Sequence, residues 1–479
     1  MTRPFERRSY RLALLAALGL ALGCGRTVRT RYAELITPAA ACRAEAPGPL
    51  SPEAMAADFA VLERVLRRGY AGYPLAADEA EWERVFAEGR ARLPDAPRSA
   101  LAFRDLLAEH FRFLDDNHVG FWVYVDGERR WRGTSGHDQA YVAALRLEEE
   151  GGAHRAPDGA TLVGCEGVES AELVRPVLGP GASVELRPLV LSREPLEALR
   201  CTFEAGGEEE VRALPVRRVD LGAERSAPLR VEEAPFPWIR LRTLVMSQEP
   251  VLEEFVATAE RVREAPVVVL DLRRTGGGSD RFVNRWFAQL TSQDLRYWVR
   301  GRLESEVVLQ GALSFWECVR VARPTHGDSW VDRRIARAHR ELAEAREERG
   351  LFYELEPKPT RVFGRAPRRF GGRLLVVVDR GCQSACETAI LLARQVEGAV
   401  IVGENTGGVM KVGEMRRYRL PRSQIHLTLG HQSHTDPFGA FREGRGFVPD
   451  VWLDGEDPEG DVRAVAECLA RDDCPLRFR

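Results

Sequence analysis

The chain has 479 residues, 44% of them hydrophobic and 29% charged, which is typical of a folded protein with room for about two to four domains. Its 69 Lys and Arg residues nearly balance 72 Asp and Glu residues, and the net charge is −3. That balance argues against the basic surface that a nucleic-acid-binding protein needs, so we expect no nucleic-acid partner.

The N-terminus has the pattern of an export signal. Residues 1–11 are basic, residues 12–22 form an apolar run, and Cys24 follows after one glycine. The apolar run is too short to span a bilayer. The segment Leu20–Cys24 resembles a bacterial lipoprotein processing site, although Ala21 stands where leucine is usual.

This pattern predicts a signal peptide over residues 1–24 and a lipid on Cys24, because the several acyl chains of a lipoprotein hold a protein firmly on a membrane. The protein would then be exported and anchored to the bacterial cell envelope, in the periplasm or at the cell surface. A cleaved, secreted form and a retained membrane anchor are the alternatives.

Nine cysteines fit an exported protein. Without Cys24 an even number remains, and an oxidising compartment permits disulfides. Cys468 and Cys474 are close in sequence and form the first candidate pair, with buried free thiols as the alternative. No CxxC pair occurs, so we predict no structural zinc site and no metal.

The first folded region is predicted to be helical. Residues 25–50 are rich in Ala, Pro and Thr and are typical of a tether. Ser51 then begins a helical pattern as an N-cap, with proline at the first helical position. Helical patterns also cover 78–92 and 98–114. We therefore predict a helical N-terminal domain over 51–130.

A small β-rich domain is predicted over residues 131–235, because short alternating segments there are separated by glycine and glutamate turns. Residues 159–186 have the order strand, glycine turn and short helix that is typical of a PDZ-like module. The alternative is a β-insert that only shapes a substrate cleft.

From residue 236 onward, strand and helix patterns alternate, which predicts an α/β core over 236–479. The strands are short apolar runs of the kind buried in a sheet covered on both faces, "FPWIRLRTLVM", "APVVVLDLR", "RLLVVVDR" and "GAVIVGEN". Helical patterns include 251–264 and 384–396. The charged helical segment 330–351 is predicted to be a solvated arm or lid.

Ser384 lies where a buried strand passes into a helix. Unpaired N–H groups and the positive end of the dipole at a helix N-terminus both stabilise an oxyanion. Ser384 could therefore attack a carbonyl while the Ala385 N–H holds the developing charge. The alternative is a structural N-cap in which Glu387 completes a capping box.

A second strand ends in three consecutive glycines, Gly276 to Gly278. Such a run lets backbone approach a ligand closely, and it could supply a second oxyanion donor. A phosphate-binding loop is the alternative, but the Lys-Ser/Thr pair that follows the glycines of such loops is missing.

Four ordered blocks resemble those of the S41 serine peptidases, the C-terminal-processing and tricorn-like group. They are "FLDDNHVGF", "DLRRTGGG", "GCQSACETAI…VGENTGGV" and "EGRGFVPDV". The resemblance covers roughly residues 100–125 and 236–455. It implies a crotonase/ClpP-like α/β core, endopeptidase or tail-clipping activity, and a serine nucleophile at Ser384.

The resemblance also indicates which base the family would use here. One branch takes a lysine, which ungapped alignment places at Val409; the chain has only Lys358 and Lys411. The "TGGV" wording is similar to the tricorn-like branch, which takes a histidine near the front. His118 matches that position, and histidine titrates near neutral pH.

The tricorn-like branch orients its histidine through a small polar residue and a glutamate, which hold the base in one tautomer and offset its charge. Asn117 stands where tricorn itself has serine, and Glu443 matches the glutamate. Thr275 is a further departure, since the glycine loop of the family often has asparagine there. The resemblance thus implies Ser384, His118, Glu443 and Asn117 as catalytic residues.

Other histidines and cysteines have simpler interpretations. His110 is predicted to be a core or surface residue. Three histidines cluster near the C-terminal strands, His426, His431 and His434. A metal site there would also need a carboxylate such as Asp436, and the spacing of these residues matches no known metal-binding motif. Cys382 and Cys386 flank Ser384 and could be a disulfide, free thiols or an alternative nucleophile, with a packing role favoured for Cys386.

Taken together, these patterns predict an exported serine endopeptidase that acts on peptides or proteins without a cofactor. The N–H groups of Ala385 and Gly277 would form the oxyanion hole, with Gly276 or Gly278 as replacements for Gly277. One alternative is a catalytically inactive binding protein for an apolar ligand or peptide, like the retinoid-carrying relatives of the family. Another is an acyl-CoA enzyme, which the export signal disfavours. No sequence feature indicates an oligomeric state.

Overall fold

The computed structural model describes residues 35–168, 170–179, 183–222, 227–322, 330–347, 352–471 and 474. The predicted signal peptide, Cys24 and the first part of the tether lie outside the described residues. Within these described ranges, no helix is both long enough and apolar enough to cross a membrane.

The N-terminal region begins with helices, as its pattern predicted. They are α1 Pro52–Gly69, α2 Tyr73–Ala76, α3 Glu79–Ala91 and α4 Ala100–His110, followed by a 3-10 turn at Arg112–Leu114. The Ser51 hydroxyl caps α1 by accepting the Ala54 N–H at 3.3 Å. Asp78 and Ser99 cap α3 and α4 in the same way, which explains where those helices start.

Two strands follow the helices, which the prediction of a helical domain to residue 130 did not include. They are β1 Gly120–Val125 and β2 Glu128–Gly133. β1 pairs with a strand far along the chain, in a six-stranded sheet. The other members of that sheet are β15 Val299–Ser305, β16 Phe352–Lys358, β20 Val412–Arg419 and β21 His426–Thr435. The loop before β1, which contains His118, is therefore held against the C-terminal part of the chain.

The middle region is rich in antiparallel strands, as predicted; its PDZ-like character stays a prediction. The strands are β3 Gln139–Ala143, β4 Glu148–Glu150, β5 Ala153–Arg155, β6 Thr161–Cys165, β7 Val174–Leu178, β8 Val184–Ser192, β9 Ala198–Ala205 and β10 Glu208–Arg218. A short helix, α5 Ser170–Leu173, precedes β7. β7 pairs in parallel with β22 Val451–Trp452, so this region continues the sheet of the core.

The core has the mixed α/β architecture that the alternating pattern predicted. Its strands are β11 Leu229–Glu232, β12 Trp238–Leu241, β13 Val267–Asp271, β18 Arg373–Val378, β19 Ala399–Gly403 and β22. The strands from β12 to β22 pair in parallel in the order given. Because the carboxyl ends of parallel strands share one edge of a sheet, the loops after β13, β18 and β19 lie side by side.

Helices cover the core sheet. They are α6 Glu249–Val262, α7 Asp280–Leu290, α8 Glu306–Ala322, α9 Trp330–Glu347, α10 Ala385–Ala393 and α11 Pro458–Leu469, and a two-stranded pair, β14 Leu295–Arg296 and β17 Arg361–Val362, lies beside them. Every residue of α10 is buried, so this helix is a central element of the core. The prediction of a charged arm at 330–351 corresponds to α9, whose apolar face packs on α8.

The eight described cysteines form four disulfides. Cys468 and Cys474, the pair predicted from sequence, are joined. The other pairs are Cys42–Cys318, Cys165–Cys201 and Cys382–Cys386. Free thiols are therefore not the state of Cys382 and Cys386, and neither is available as a nucleophile.

Candidate active site

Ser384 stands at a sharp, strained turn between β18 and α10. Its backbone has φ 53° and ψ −115°, a conformation that costs a non-glycine residue on the order of 1–3 kcal/mol. The preceding strand is buried along almost its whole length, and the following helix is wholly buried. The turn therefore places a serine side chain, only partly buried, at the edge of a rigid core.

Glu387 holds this turn in place from inside the core. Its Oε2 accepts the N–H of Ser384 at 3.0 Å and of Val409 at 2.8 Å. Its Oε1 accepts the N–H of Gly408 and the hydroxyl of Thr406, each at 2.7 Å. Glu387 forms one half of the capping box that the sequence suggested, and it also ties the Ser384 turn to the loop after β19.

Burial raises the pKa of Glu387 to about 7, while the four hydrogen-bond donors favour the charged form and act in the opposite direction.

The glycine loop after β13 lies directly against the serine. A Cβ added to Gly277 would be 2.9 Å from Ser384 Cβ and 3.3 Å from Ser384 Oγ. Only glycine fits there without displacing the serine. The Gly276 N–H is donated to the Gly381 carbonyl at 2.8 Å, so it is not free to bind an oxyanion.

Two backbone N–H groups near the serine remain open. Among the described residues, no acceptor is found for the N–H of Gly277 or for that of Ala385, which is the first residue of α10. Asp379 fixes the two loops relative to each other, because its Oδ1 accepts the N–H of Arg274 at 2.8 Å and of Gly381 at 2.9 Å. The arrangement is suited to holding a developing negative charge.

His118 lies in the loop before β1, next to a buried carboxylate. Asp116 accepts the backbone N–H of His118 at 2.8 Å through Oδ1, and the hydroxyl of Tyr70 at 2.7 Å through Oδ2. Burial lowers the pKa of His118, and the charge of Asp116 partly opposes this. Asp116 is a functional candidate that the sequence reading did not single out, although it stands two residues before the histidine.

The Glu443 carboxylate is bound by backbone N–H groups, including that of Asn117, the residue before His118. Its Oε1 accepts the N–H of Asn117 at 3.2 Å, and its Oε2 accepts the N–H groups of Met410 at 2.9 Å and Lys411 at 2.8 Å. Burial and the neighbouring acids raise the pKa of Glu443.

The side chain of Asn117 points elsewhere, since its Nδ2 donates to the Gly408 carbonyl at 3.2 Å. The two predicted orienting residues are thus together, joined through a main-chain N–H.

The serine and histidine halves of the site meet through Gly408. Its N–H binds Glu387, which binds Ser384, and its carbonyl binds Asn117, the neighbour of His118. Among the described residues, no hydrogen bond joins Ser384 Oγ to the His118 ring, and none joins that ring to Glu443; the Nδ1 of His118 is buried without a partner. The structure brings the predicted residues into one region, but among the described residues no continuous chain of hydrogen bonds runs from Ser384 through His118 to Glu443.

A second histidine lies at the same loop. The Nδ1 of His137 is 2.7 Å from the carbonyl of Gly407, and a Cβ on Gly407 would be 2.4 Å from the side chain of Gln383. His137 therefore lies near Gln383, the residue before Ser384. No motif pointed to it, because it comes from the start of the β-rich region.

The two positions at which a lysine base would be expected, Val409 and Lys411, do not contain a lysine that is shown beside Ser384. Val409 is buried. The charge of Lys411 acts to lower the pKa of Asp115, and it partly opposes the burial that raises the pKa of Asp116. Lys411 is thus an electrostatic neighbour of that loop.

The other histidines that were candidates from the sequence lie in structural surroundings. His110 Nε2 is 2.9 Å from the Val85 carbonyl, within the helical region. Burial and neighbouring arginines lower the pKa values of His426, His431 and His434, and Asp436 accepts three backbone N–H groups. Within the part of the chain that the structure describes, no group of three or more His, Cys, Asp or Glu residues could hold a metal ion.

Residues 238–453 match the profile of peptidase family S41. This segment belongs to that family. It begins at β12 and ends just after β22, so it contains Ser384, the glycine loop and Glu443, whereas His118 lies outside it. No curated protein sequence matches the chain.

Several solved structures are similar to the chain at low identity. Mature CPAF has 13% identity and a TM-score of 0.47, covering 88% of this chain and 96% of its own. The photosystem II D1 C-terminal processing protease has 16% identity and a TM-score of 0.40, covering 89% of this chain and 99% of its own. The tricorn protease has 14% identity and a TM-score of 0.39, and the match covers 88% of this chain and 37% of the tricorn chain.

Proposed function

We propose that the chain is a serine endopeptidase of the tricorn-like type, with Ser384 as nucleophile. The observation that carries this proposal is the strained backbone of Ser384 at the N-terminus of a buried helix, with Gly277 packed against the serine side chain. A purely structural cap has no need of such strain, since cap residues usually adopt extended backbone, as Ser51 does. Strained residues held by a rigid core concentrate at functional sites.

The proposed reaction is acyl transfer in two steps. Ser384 Oγ bonds to the scissile carbonyl carbon while the His118 ring takes the hydroxyl proton. The N–H groups of Gly277 and Ala385 hold the oxyanion, and His118 returns the proton to the leaving amine. Water then attacks the acyl-enzyme with His118 again as base, which releases the peptide and restores the serine.

His118 is suited to this role because burial lowers its pKa and so favours the neutral, proton-accepting form near pH 7. Asp116 would offset the positive charge that forms during the reaction. Glu443 and Asn117 would fix the loop that carries the ring, through the bond between the Glu443 carboxylate and the Asn117 N–H. Substrate binding would bring the ring to the serine, since catalytic hydrogen bonds often tighten only in the complex.

We also propose that the protein is exported and held on the cell envelope by a lipid on Cys24. Four disulfides among the described residues support an oxidising compartment. Incorporation of a labelled fatty acid into wild type, but not into Cys24→Ser, tests the anchor. Equal partitioning of both forms into the aqueous phase of a detergent extract would reject it.

Active-site labelling with a fluorophosphonate tests the peptidase proposal. Wild type, Ser384→Ala and His118→Ala would be compared as folded proteins, and the labelled peptide would be located by mass spectrometry. Label on Ser384 that disappears in both variants is the expected result. A folded wild type that takes no more label than Ser384→Ala would instead favour the catalytically inactive binding protein, and apolar ligands and peptides would then be screened.

A further inference from the structure

A cationic cleft of about 770 Å³ lies between α9 and the starts of α6 and α7. Its walls are formed by the outer face of α9 and the start of α7. Five arginines line it, Arg281, Arg333, Arg334, Arg337 and Arg340, with Glu249 as the one acidic residue in the lining. The lining therefore has a formal excess of four positive charges.

The amphipathic pattern of α9 explains why the arginines face the cleft. Val331, Ile335, Ala338 and Leu342 are buried and pack with Leu313 of α8. Residues three, four or seven apart share one helix face, so burying this apolar set leaves the arginine set on the opposite side. The four α9 arginines are exposed.

Part of this charge is balanced by acidic neighbours, but weakly. Arg281 is 3.3 Å from both Glu249 and Glu253, and Arg337 is 2.6 Å from Glu341 on the same helix. Exposed pairs of this kind contribute on the order of 0–1 kcal/mol, so an incoming carboxylate can displace them at small cost.

The cleft begins close to the proposed nucleophile. Gly277 touches Ser384, and the next residue, Gly278, packs on the backbone of Leu244. Met246, two residues after Leu244, lines the cleft, and Arg281 follows the glycine loop by three residues. At about 3.8 Å per residue, this route spans on the order of 15 Å. An extended peptide covers that length in about four or five residues.

We propose that this arginine-lined cleft binds acidic side chains of the peptide substrate, several residues from the scissile bond. The inference rests on the peptidase function proposed above and names its substrate class. Arg334 and Arg340 are six residues apart, or about 9 Å along the helix. Side chains on one face of an extended peptide repeat at about 6.7 Å, so two acidic residues can reach separate arginines. Guanidinium groups bind carboxylates through paired hydrogen bonds.

The test is a binding measurement on the full exported chain carrying Ser384→Ala, which keeps the peptide intact. The probe is a fluorescein-labelled decapeptide with glutamate at alternate positions, and its reference has glutamine there. We expect the glutamate peptide to bind about tenfold more tightly at low salt, with the difference shrinking at high salt because the charges are exposed. Equal affinity for the two peptides would overturn the proposal.

Variants then locate the binding site. Arg337→Gln with Arg340→Gln should weaken the glutamate peptide about fivefold or more and leave the glutamine peptide unchanged. Arg84→Gln with Arg155→Gln is the matched control, since both arginines are exposed, make similar ion pairs and do not line the cleft. Equal losses in the two double variants would reject the cleft as the site.

Two further measurements distinguish failure of the acidic-peptide proposal from failure of the peptidase proposal. A single-stranded oligonucleotide of equal charge that binds as tightly as the glutamate peptide would overturn the choice of an acidic peptide as occupant. If wild type takes no fluorophosphonate label, the peptidase function fails, yet the binding measurement on Ser384→Ala still decides whether the cleft takes acidic peptides. Arg281→Gln, on the opposite wall, is a single substitution that does not alter α9; it should also weaken the glutamate peptide, and unchanged affinity would exclude that wall from the site.

Discussion

Replacing Gly277 with alanine tests the packing of the glycine loop on the proposed nucleophile. Gly277 does not have a left-handed φ, so alanine fits its backbone. The added methyl group would nevertheless be 2.9 Å from Ser384 Cβ and 3.3 Å from Ser384 Oγ. Ordinary carbon–carbon contacts are about 3.5–4.0 Å, so the serine must move by roughly 0.6–1 Å.

The serine cannot move far by rotation alone, because the closest contact is to its Cβ, and Glu387 holds its N–H. A misplacement of about 1 Å in a catalytic group reduces the rate about 100-fold, or about 2.7 kcal/mol in the activation barrier. We expect the rate of fluorophosphonate labelling in Gly277→Ala to fall by about that factor. The fold should survive, since overpacking by one methyl group costs about 1–3 kcal/mol.

Gly276→Ala is the matched control. Gly276 has φ +66° and its added Cβ meets nothing within 4 Å, so that variant strains the backbone without touching the serine. It should lower the thermal midpoint at least as much as Gly277→Ala and yet label within about threefold of wild type. Wild-type labelling in folded Gly277→Ala would refute the geometry we infer, and so would parallel losses of stability and labelling in both variants.

Three other changes test the surroundings of the nucleophile. Asp116→Asn removes the charge that raises the pKa of His118, so the acidic limb of the kcat/KM profile should move to lower pH and the plateau should fall at least about tenfold; an unmoved limb would exclude this coupling. His137→Ala should label within about threefold of wild type, whereas His118→Ala should not label, and the reverse pattern would make His137 the base. Reduction should slow labelling several-fold by opening the Cys382–Cys386 disulfide around the nucleophile, and a double alanine variant at these cysteines should not respond to reductant.

The parts of the site that could be predicted from sequence lie on the turns that follow two neighbouring strands of the sheet. Ser384 and the glycine loop each follow an apolar run, and parallel pairing of β13 with β18 places the two loops at one edge of the sheet. The local pattern predicts each turn, and the rule that carboxyl ends of parallel strands share one edge predicts that the two loops lie together once the strands pair. The α/β class of the core was predictable for the same reason and is confirmed.

The histidine half could be predicted only through the family resemblance, because long-range contacts position it. β1 pairs with β21 across about 300 residues of sequence, which no local pattern specifies. Asp116 and His137 were missed for this reason, and so was the bond of Glu443 to the main chain of Asn117. The Cys42–Cys318 disulfide could not be predicted for the same reason, because its two cysteines are 276 residues apart in the sequence.

These two halves suggest how the site could be controlled. Ser384 and the glycine loop lie at the edge of the core, and Glu387 is buried within it. Asn117 links the histidine loop to Glu443 and to the loop after β19 through two hydrogen bonds, one of them to the Gly408 carbonyl. Because individual hydrogen bonds contribute only about 0.5–1.5 kcal/mol, these two bonds of Asn117 can break and re-form at small cost when a substrate binds. A substrate that binds across both halves would then supply the energy that closes the proton path, which would restrict hydrolysis to peptides long enough to contact both.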